Sequence, residues 1–307
     1  MRLGLLGLGR WGKNYVKTIA QMPEIELVRI CGRTHQSDSL EGHLRECFTS
    51  DWRQVCEDPS LDGIIVATPP KTHHEIVKFC LERGLPAFVE KPFTQRLEET
   101  RELLSLSQKF NVLCMVNYIH LYSRGYKELK KNVADGGRIK SIYSESFAHG
   151  PFRKDVSVLW DWGCHDIAMC IDLLGLSPES VKKTFCFKNS SEPLGEILTI
   201  ELGFYDGPTA SLTFGNLSEF KRRDFCVLSD KGVFGYDGFS QGLSKNYSKA
   251  LAPDDPARFK LQPSPLECGI REFVIHIARN ENTHHTLALA ERVNSILEKI
   301  GTASRNK

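Results

Sequence analysis

The sequence predicts a two-domain α/β chain. A doubly wound parallel sheet at residues 1–118 precedes an α+β domain at residues 119–307, which is built on a large, mostly antiparallel open sheet. Three observations carry this prediction. Strand-like and helix-like segments alternate over the first 118 residues, the rhythm of a parallel sheet covered by helices. A glycine-rich turn, Gly7-Leu8-Gly9-Arg10-Trp11-Gly12, sits between the first strand and the first helix. Beyond Tyr122, strand-like segments follow one another without helices between them, which suits antiparallel pairing. At 307 residues the chain has reached the length, roughly 250–300 residues, at which one core gives way to two.

In order, Arg2–Leu6 reads as a strand, and Trp11–Gln21 as a helix stopped by Pro23. Glu26–Cys31 is a second strand. Gly63–Ala67 is a short unbroken apolar run, as in a strand buried on both faces. Thr72–Glu82 is helical up to Gly84, Ala87–Glu90 is a strand, Leu97–Lys109 a helix and Val112–Val116 a further strand. In the second domain, a helix near Tyr126–Val133 and a strand at Ile139–Phe147 precede Trp160–Leu174, which has helical periodicity and ends at Gly175. Strands are expected at Val181–Phe187, Glu196–Tyr205, Thr209–Phe214, Phe225–Ser229 and Gly232–Tyr236. Residues 239–265 read as a long surface loop, and helices near Leu266–Ala278 and Leu287–Ile300 finish the chain.

The formal charge is only +2, from 40 Lys and Arg against 38 Asp and Glu, so neither a nucleic-acid arm nor a polybasic membrane segment is expected. No stretch approaches the ~20 apolar residues of a membrane span, and the apolar opening is too short and too glycine-broken for a signal peptide. The ten cysteines are scattered. Cys31, Cys80, Cys114 and Cys170 sit in apolar runs and read as reduced, buried thiols, which points to the cytoplasm.

The glycine turn has divided labour: Gly7 makes the tight turn, Gly9 admits a pyrophosphate and Gly12 lets helix and strand pack closely. A helix N-terminus beside it offers unpaired N–H groups to phosphates. This is the signature of a Rossmann dinucleotide site. The end of the second strand reads Cys31-Gly32-Arg33-Thr34, without the carboxylate that binds the ribose 2′-hydroxyl of NAD. Arg33 and Thr34 instead suit a 2′-phosphate, which favours NADP over NAD. Ala67-Thr68-Pro69 and Glu90-Lys91 end two strands at the carboxyl edge, where ligands of such sheets bind.

The N-terminal glycine turn, Ala67-Thr68-Pro69-Pro70 with His73, Glu90-Lys91-Pro92, and Asp161-Trp162-Gly163-Cys164-His165 together resemble the Gfo/Idh/MocA oxidoreductases, the glucose–fructose oxidoreductase and inositol dehydrogenase family. The stretch from Asn117 through Tyr118 and His120 to Tyr122 resembles the segment that joins the two domains in a branch acting on sugars. The resemblance covers essentially the whole chain. It implies that Lys91 and His165 are catalytic and that Asp161 is catalytic or substrate-binding. It also implies that Gly7, Gly9, Arg10, Trp11, Gly12, Arg33, Thr34, Ala67, Thr68, Pro69, His73, Glu90 and Lys91 bind cofactor. Lys91, Asn117, Tyr118, His120, Trp160, Asp161 and His165 would bind substrate. Two departures bear on substrate: Ile119 and His120 stand where many members have an arginine, and Ala168 where many have an aspartate.

Hydride transfer from a secondary alcohol needs a base, a stabiliser of alkoxide charge and fixed placement. His165 has the intrinsic pKa of a base. Asp161, four residues earlier, shares its helix face and either binds a substrate hydroxyl or orients the imidazole. Lys91 stabilises oxygen charge. A capping pair of Asp161 and His165 is the structural alternative. Metal is not expected, because the candidate ligands lack paired close spacings. Trp160 and Trp162 flank Asp161 as core or pocket wall. The expected activity is an NAD(P)-dependent oxidoreductase acting on a sugar, nucleotide-sugar or cyclitol. A non-catalytic dinucleotide-binding regulator, or a reductase of a non-sugar substrate, is the alternative. A homodimer or homotetramer through an apolar face of the second sheet, around Thr199–Phe204 and Ser211–Phe214, completes the expectation.

Overall fold

The computed structural model describes residues 1–40, 42–135, 137–238, 243–245 and 263–303. The chain forms two compact units, Met1–Tyr118 with Leu266–Glu291, and Ile119–Pro265 with Arg292–Lys307.

The first unit is built on six parallel strands in the order β3-β2-β1-β4-β5-β6: β1 Arg2–Leu6, β2 Glu26–Cys31, β3 Phe48–Thr49, β4 Gly63–Val66, β5 Ala87–Glu90 and β6 Cys114–Asn117. Order reverses beside β1, so the carboxyl ends of β1 and β4 flank the switch point where such sheets bind ligands. The central strands are buried along their whole length, as their unbroken apolar runs require. Helices α1 Arg10–Ile19, α2 His43–Glu46, α3 Trp52–Cys56, α4 His73–Glu82 and α5 Leu97–Phe110 connect them. Helix α1 buries Gly12, Tyr15 and Ile19, a stripe at helical spacing. The two-residue β3 and the short α2 and α3 are too brief to leave a periodic signal.

Helix α8, Pro265–Ala278, lies against this sheet, and the sequence division at residue 118 misses that return. Phe273 stacks on Phe88 with ring centroids 5.5 Å apart. A Cβ at Gly63 would sit 2.9 Å from Ile277, so glycine is what lets α8 approach β4. The Val116 amide donates to the Thr286 hydroxyl at 3.0 Å, at the start of α9, His285–Ala303.

The second unit carries seven strands in the order β13-β12-β11-β7-β10-β9-β8. They are β7 Ile139–His149, β8 Ser180–Asn189, β9 Glu192–Gly203, β10 Thr209–Gly215, β11 Leu217–Ser229, β12 Gly232–Asp237 and β13 Leu243–Lys245. All neighbours are antiparallel except β7 and β10. Helices α6 Arg124–Ala134 and α7 Cys164–Leu174 belong to this unit. Ile200, Leu202, Leu212, Phe214, Phe225 and Val227 are buried with Tyr126, Leu129, Ile167 and Ile171 from the helices.

The apolar residues of Thr199–Phe204 and Ser211–Phe214 therefore point into the core, because alternate strand residues face opposite sides. The other face carries Thr199, Ser211 and Thr213, together with the exposed Tyr143, Phe185 and Phe187. Most of the expected loop at 239–265 lies outside the described residues. All ten cysteines are free thiols, and burial pushes Cys31 up to about 11, which keeps it unreactive. Among the described residues no helix is long and apolar enough to cross a membrane.

Candidate active site

At the switch point of the first sheet, Gly7 has φ +97°, and its amide donates to Cys31 O at 2.8 Å. A Cβ on Gly7 would lie 2.6 Å from Ala67 O, and one on Gly12 would lie 1.8 Å from Gly7 O. Nothing lies within 4 Å of the corresponding position on Gly9. Two glycines are thus dictated by close packing and one by open space, which is what a pyrophosphate needs above a helix N-terminus. No side chain caps α1, so its first N–H groups stay available to a ligand. Arg10 is exposed and Trp11 half-buried beside this turn.

Arg33 and Thr34 are exposed just beyond β2. Gln36 ties them to the glycine turn: its Oε1 accepts from the Arg33 amide at 2.8 Å and its Nε2 donates to Leu8 O at 3.0 Å. Ala67 and Thr68 are half-buried and Pro69 is exposed, at the end of β4.

His73 is placed differently from the expectation. It is fully buried, with Nε2 2.8 Å from Thr68 O and Nδ1 3.0 Å from Phe93 O. The ring contacts backbone carbonyls on both sides and so braces the turn after β4 against the Pro92-Phe93 turn after β5. Glu90 and Asn117 are also turned inward. The Tyr15 hydroxyl and the Asn117 amide both donate to Glu90 Oε1 at 2.8 Å, and the same amide reaches the Tyr15 oxygen at 2.9 Å. Tyr118 is 1 % exposed, so it too is core. This network joins α1, β5 and β6 directly beneath Lys91, which is half-buried.

Burial raises the Glu90 pKa, against the opposing effects of Tyr15, Asn117 and Lys91. The folded chain then holds the Glu90 proton more tightly than the unfolded chain does. Stability is therefore expected to fall as pH rises from roughly 4.3, the ordinary glutamate value, through the higher folded value. Glu90→Gln should flatten that slope in urea titrations at successive pH values. An unchanged slope would show that Glu90 does not set it.

In the second unit, Trp160–Leu174 is not one regular helix. A π-helical turn at Leu159–Gly163 leads into α7. A Cβ at Gly163 would lie 2.7 Å from the Phe214 ring, so the glycine of the motif seats this turn on β10. Wide turns of this kind re-aim side chains. Asp161 and His165 are both about nine-tenths buried. The Asp161 carboxylate takes Arg153 Nη1 at 3.3 Å, which is a use the capping alternative does not contain. The His165 ring meets that of His120 edge-on at 5.0 Å, and His120 Nδ1 lies 3.4 Å from the Tyr236 hydroxyl. Trp160 is half-buried, whereas Trp162 lines a cleft of about 140 Å³ with Asp161 and Arg153.

Sequence reasoning missed Arg153 and the pair beneath His165. Asp166 is 1 % exposed and accepts from Arg223 at 3.0 Å and from the Ser144 and Ser146 hydroxyls, each at 3.0 Å. Burial raises its pKa, opposed by Arg223 and both serines. Ser144 and Ser146 follow Ile142 at period two on the core face of β7, and polar residues at core positions were the readable signal. Arg153 left no such signal, since its partners come from irregular chain.

A parallel sheet in this order with a glycine-lined helix N-terminus defines a dinucleotide-binding Rossmann unit. Residues 1–118 match the model of the GFO_IDH_MocA oxidoreductase family, described as an NAD-binding Rossmann fold. The chain is 27% identical over 284 residues to the uncharacterized oxidoreductase YrbE of Bacillus subtilis, covering 89% of this chain and 77% of that one. It is 28% identical over 197 residues to the scyllo-inositol 2-dehydrogenase (NAD(+)) of the same organism, spanning 59% of this chain and 56% of that protein. A crystal structure of a candidate oxidoreductase from Magnetospirillum magnetotacticum MS-1 superposes with a TM-score of 0.82 at 29% identity, covering 98% and 99% of the two chains. Residues 1–118 thus match the Gfo/Idh/MocA oxidoreductase family, and the similarity to YrbE and to the Magnetospirillum structure extends over most of the chain.

Proposed function

We propose that this protein is an NAD(P)-dependent dehydrogenase or reductase acting on a secondary hydroxyl, or its carbonyl, of a sugar, nucleotide-sugar or cyclitol. The observation that carries the reading is the pairing of an open Gly9 cradle with a buried Asp161–His165 motif in one chain. The similarity to an inositol dehydrogenase supports the substrate class. When bound, the nicotinamide supplies the hydride acceptor or donor. Lys91 stabilises charge on the reacting oxygen, His165 moves the hydroxyl proton, and Asp161 holds a substrate hydroxyl. Residues 1–118 hold the dinucleotide and residues 119–307 the substrate.

NADP is the favoured cofactor, since Arg33 and Thr34 present an exposed guanidinium and a hydroxyl where a ribose-binding carboxylate would stand. Arg33→Ala should raise the KM for NADP by about 10- to 100-fold, the worth of a charge-assisted contact, and leave that for NAD nearly unchanged. No change in either KM would assign Arg33 to the solvent, and an equal rise in both would place it on a part the two cofactors share. The reading also includes a cytoplasmic homodimer or homotetramer, paired through the open face that carries Tyr143, Phe185 and Phe187.

Turnover of a sugar, cyclitol and nucleotide-sugar panel with both cofactors tests the activity. Tight cofactor binding with no turnover of any member would favour a dinucleotide-binding regulator instead.

A further inference from the structure

The cleft beside Asp161 lies wholly within the second unit and has a distinctive charge arrangement. Its walls include Arg153, Asp161, Trp162, Lys188, Glu196 and Asn216. Asn216 fastens the rim: its Oδ1 accepts the Glu196 amide at 2.9 Å, and its Nδ2 donates to Leu194 O at 3.0 Å. Arg153 is chelated by Asp155, with Nε to Oδ1 at 3.0 Å and Nη2 to Oδ2 at 2.6 Å, and it extends its remaining nitrogen to Asp161 at 3.3 Å. Burial works against the Arg153 charge, and the two carboxylates outweigh it and hold its pKa above the ordinary value. Lys188 lies 3.8 Å from Glu196 Oε1.

Arg153 is therefore already committed to two carboxylates, and the exposed Lys188 is loosely paired with Glu196. Of the lining residues, Arg153 and Lys188 are matched by Asp161 and Glu196, and Asp155 pairs Arg153 from beside the lining, so the five groups sum to −1. A phosphate entering here would have to break the Arg153 chelate and would then face carboxylates left without their partner, a repulsive element of the kind that builds specificity. Hydroxyl groups meet no such obstacle. Each can donate to Asp161 or Glu196 and accept from Arg153 or Lys188 without disturbing the charge balance. The Trp162 indole adds a flat apolar wall. At about 140 Å³ the cleft is small beside the roughly 300–1,000 Å³ that drug-sized ligands fill.

We propose that this cleft is a specificity subsite that takes an uncharged polyhydroxylated ring, and that Arg153, Lys188 and the carboxylates pairing them select against phosphorylated and nucleotide-linked sugars. The proposal rests on the oxidoreductase reading above and narrows its substrate class to neutral sugars and cyclitols. Asp161 binds the ring at the edge nearest the motif, and the Lys188–Glu196 pair reads the far edge.

The test uses the full chain with saturating nicotinamide cofactor and compares kcat/KM for myo-inositol and glucose with that for glucose 6-phosphate and UDP-glucose. The best uncharged member should exceed both anionic ones by at least tenfold. Glu196→Gln and Asp155→Asn each remove one negative charge and should shrink that ratio several-fold in variants whose melting temperature is unchanged. An anionic substrate used as well as or better than the neutral ones would overturn the proposal while leaving the oxidoreductase standing. So would a ratio unmoved in both folded variants. If no member of the panel is turned over, the oxidoreductase reading fails, and this inference fails with it.

Discussion

Lys91→Ala is expected to lower kcat by about 10²–10⁴, the range that positioned acid, base or charge-stabilising groups supply. The Kd for the dinucleotide should move only a few-fold, because the proposed phosphate site is the backbone of the Gly7–Gly12 turn, where Gly9 has open space, and not the Lys91 side chain. His165→Ala should lower kcat by a comparable factor, with a changed pH–rate profile, since the loss of a proton-transfer group removes its limb of that profile. The structural background favours a clean result for His165. The α7 helix is anchored independently through Asp166 on Ser144, Ser146 and Arg223. If either variant keeps wild-type kcat on a substrate found by the panel, that residue has no chemical role. Stopped-flow hydride transfer and equilibrium cofactor titration on one preparation separate these outcomes.

Asp166→Ala should destabilise the second unit by about 3–5 kcal/mol, the usual result of stranding one member of a buried ion pair. Arg223 is only 7 % exposed and would be left without its carboxylate, while the Ser146 hydroxyl loses this acceptor and Ser144 falls back on Asp224 O. A fall in melting temperature of roughly 6–20 °C would follow for a unit of this size. Asp166→Leu combined with Arg223→Met should recover much of the loss, because a pair of apolar residues avoids the desolvation that a lone charge suffers. A loss below about 1 kcal/mol for Asp166→Ala in urea unfolding would show that water or a shifted side chain compensates Arg223.

The Rossmann half of the fold was legible because its signals are local. A turn that excludes every side chain at Gly7 and Gly12 has to be written as glycine, and strands buried on both faces have to be written as runs such as Gly63–Val66. The Asp161-Trp162-Gly163-Cys164-His165 motif was legible through its resemblance to the family pattern, and only the structure shows that Gly163 leaves room for Phe214. Elements shorter than one period, such as β3 at Phe48–Thr49, left nothing to read. The direction in which a buried polar side chain turns was equally hidden. His73, Glu90 and Asn117 carry the motif chemistry in sequence, yet each spends its hydrogen bonds on the interior.

Strand–helix rhythm and motif spacing by themselves determined a Rossmann unit followed by a second unit that carries an acid–histidine motif. Tertiary structure alone decided which groups stand around those motifs. Arg153 meets Asp161 from eight residues away, Arg223 meets Asp166 from 57 away, and Phe273 closes on Phe88 from the far end of the chain. Glycine and hydrophobic patterns record constraints on the backbone at one place. Ion pairs and ring contacts are set by which strands become neighbours, and no short stretch of sequence encodes that.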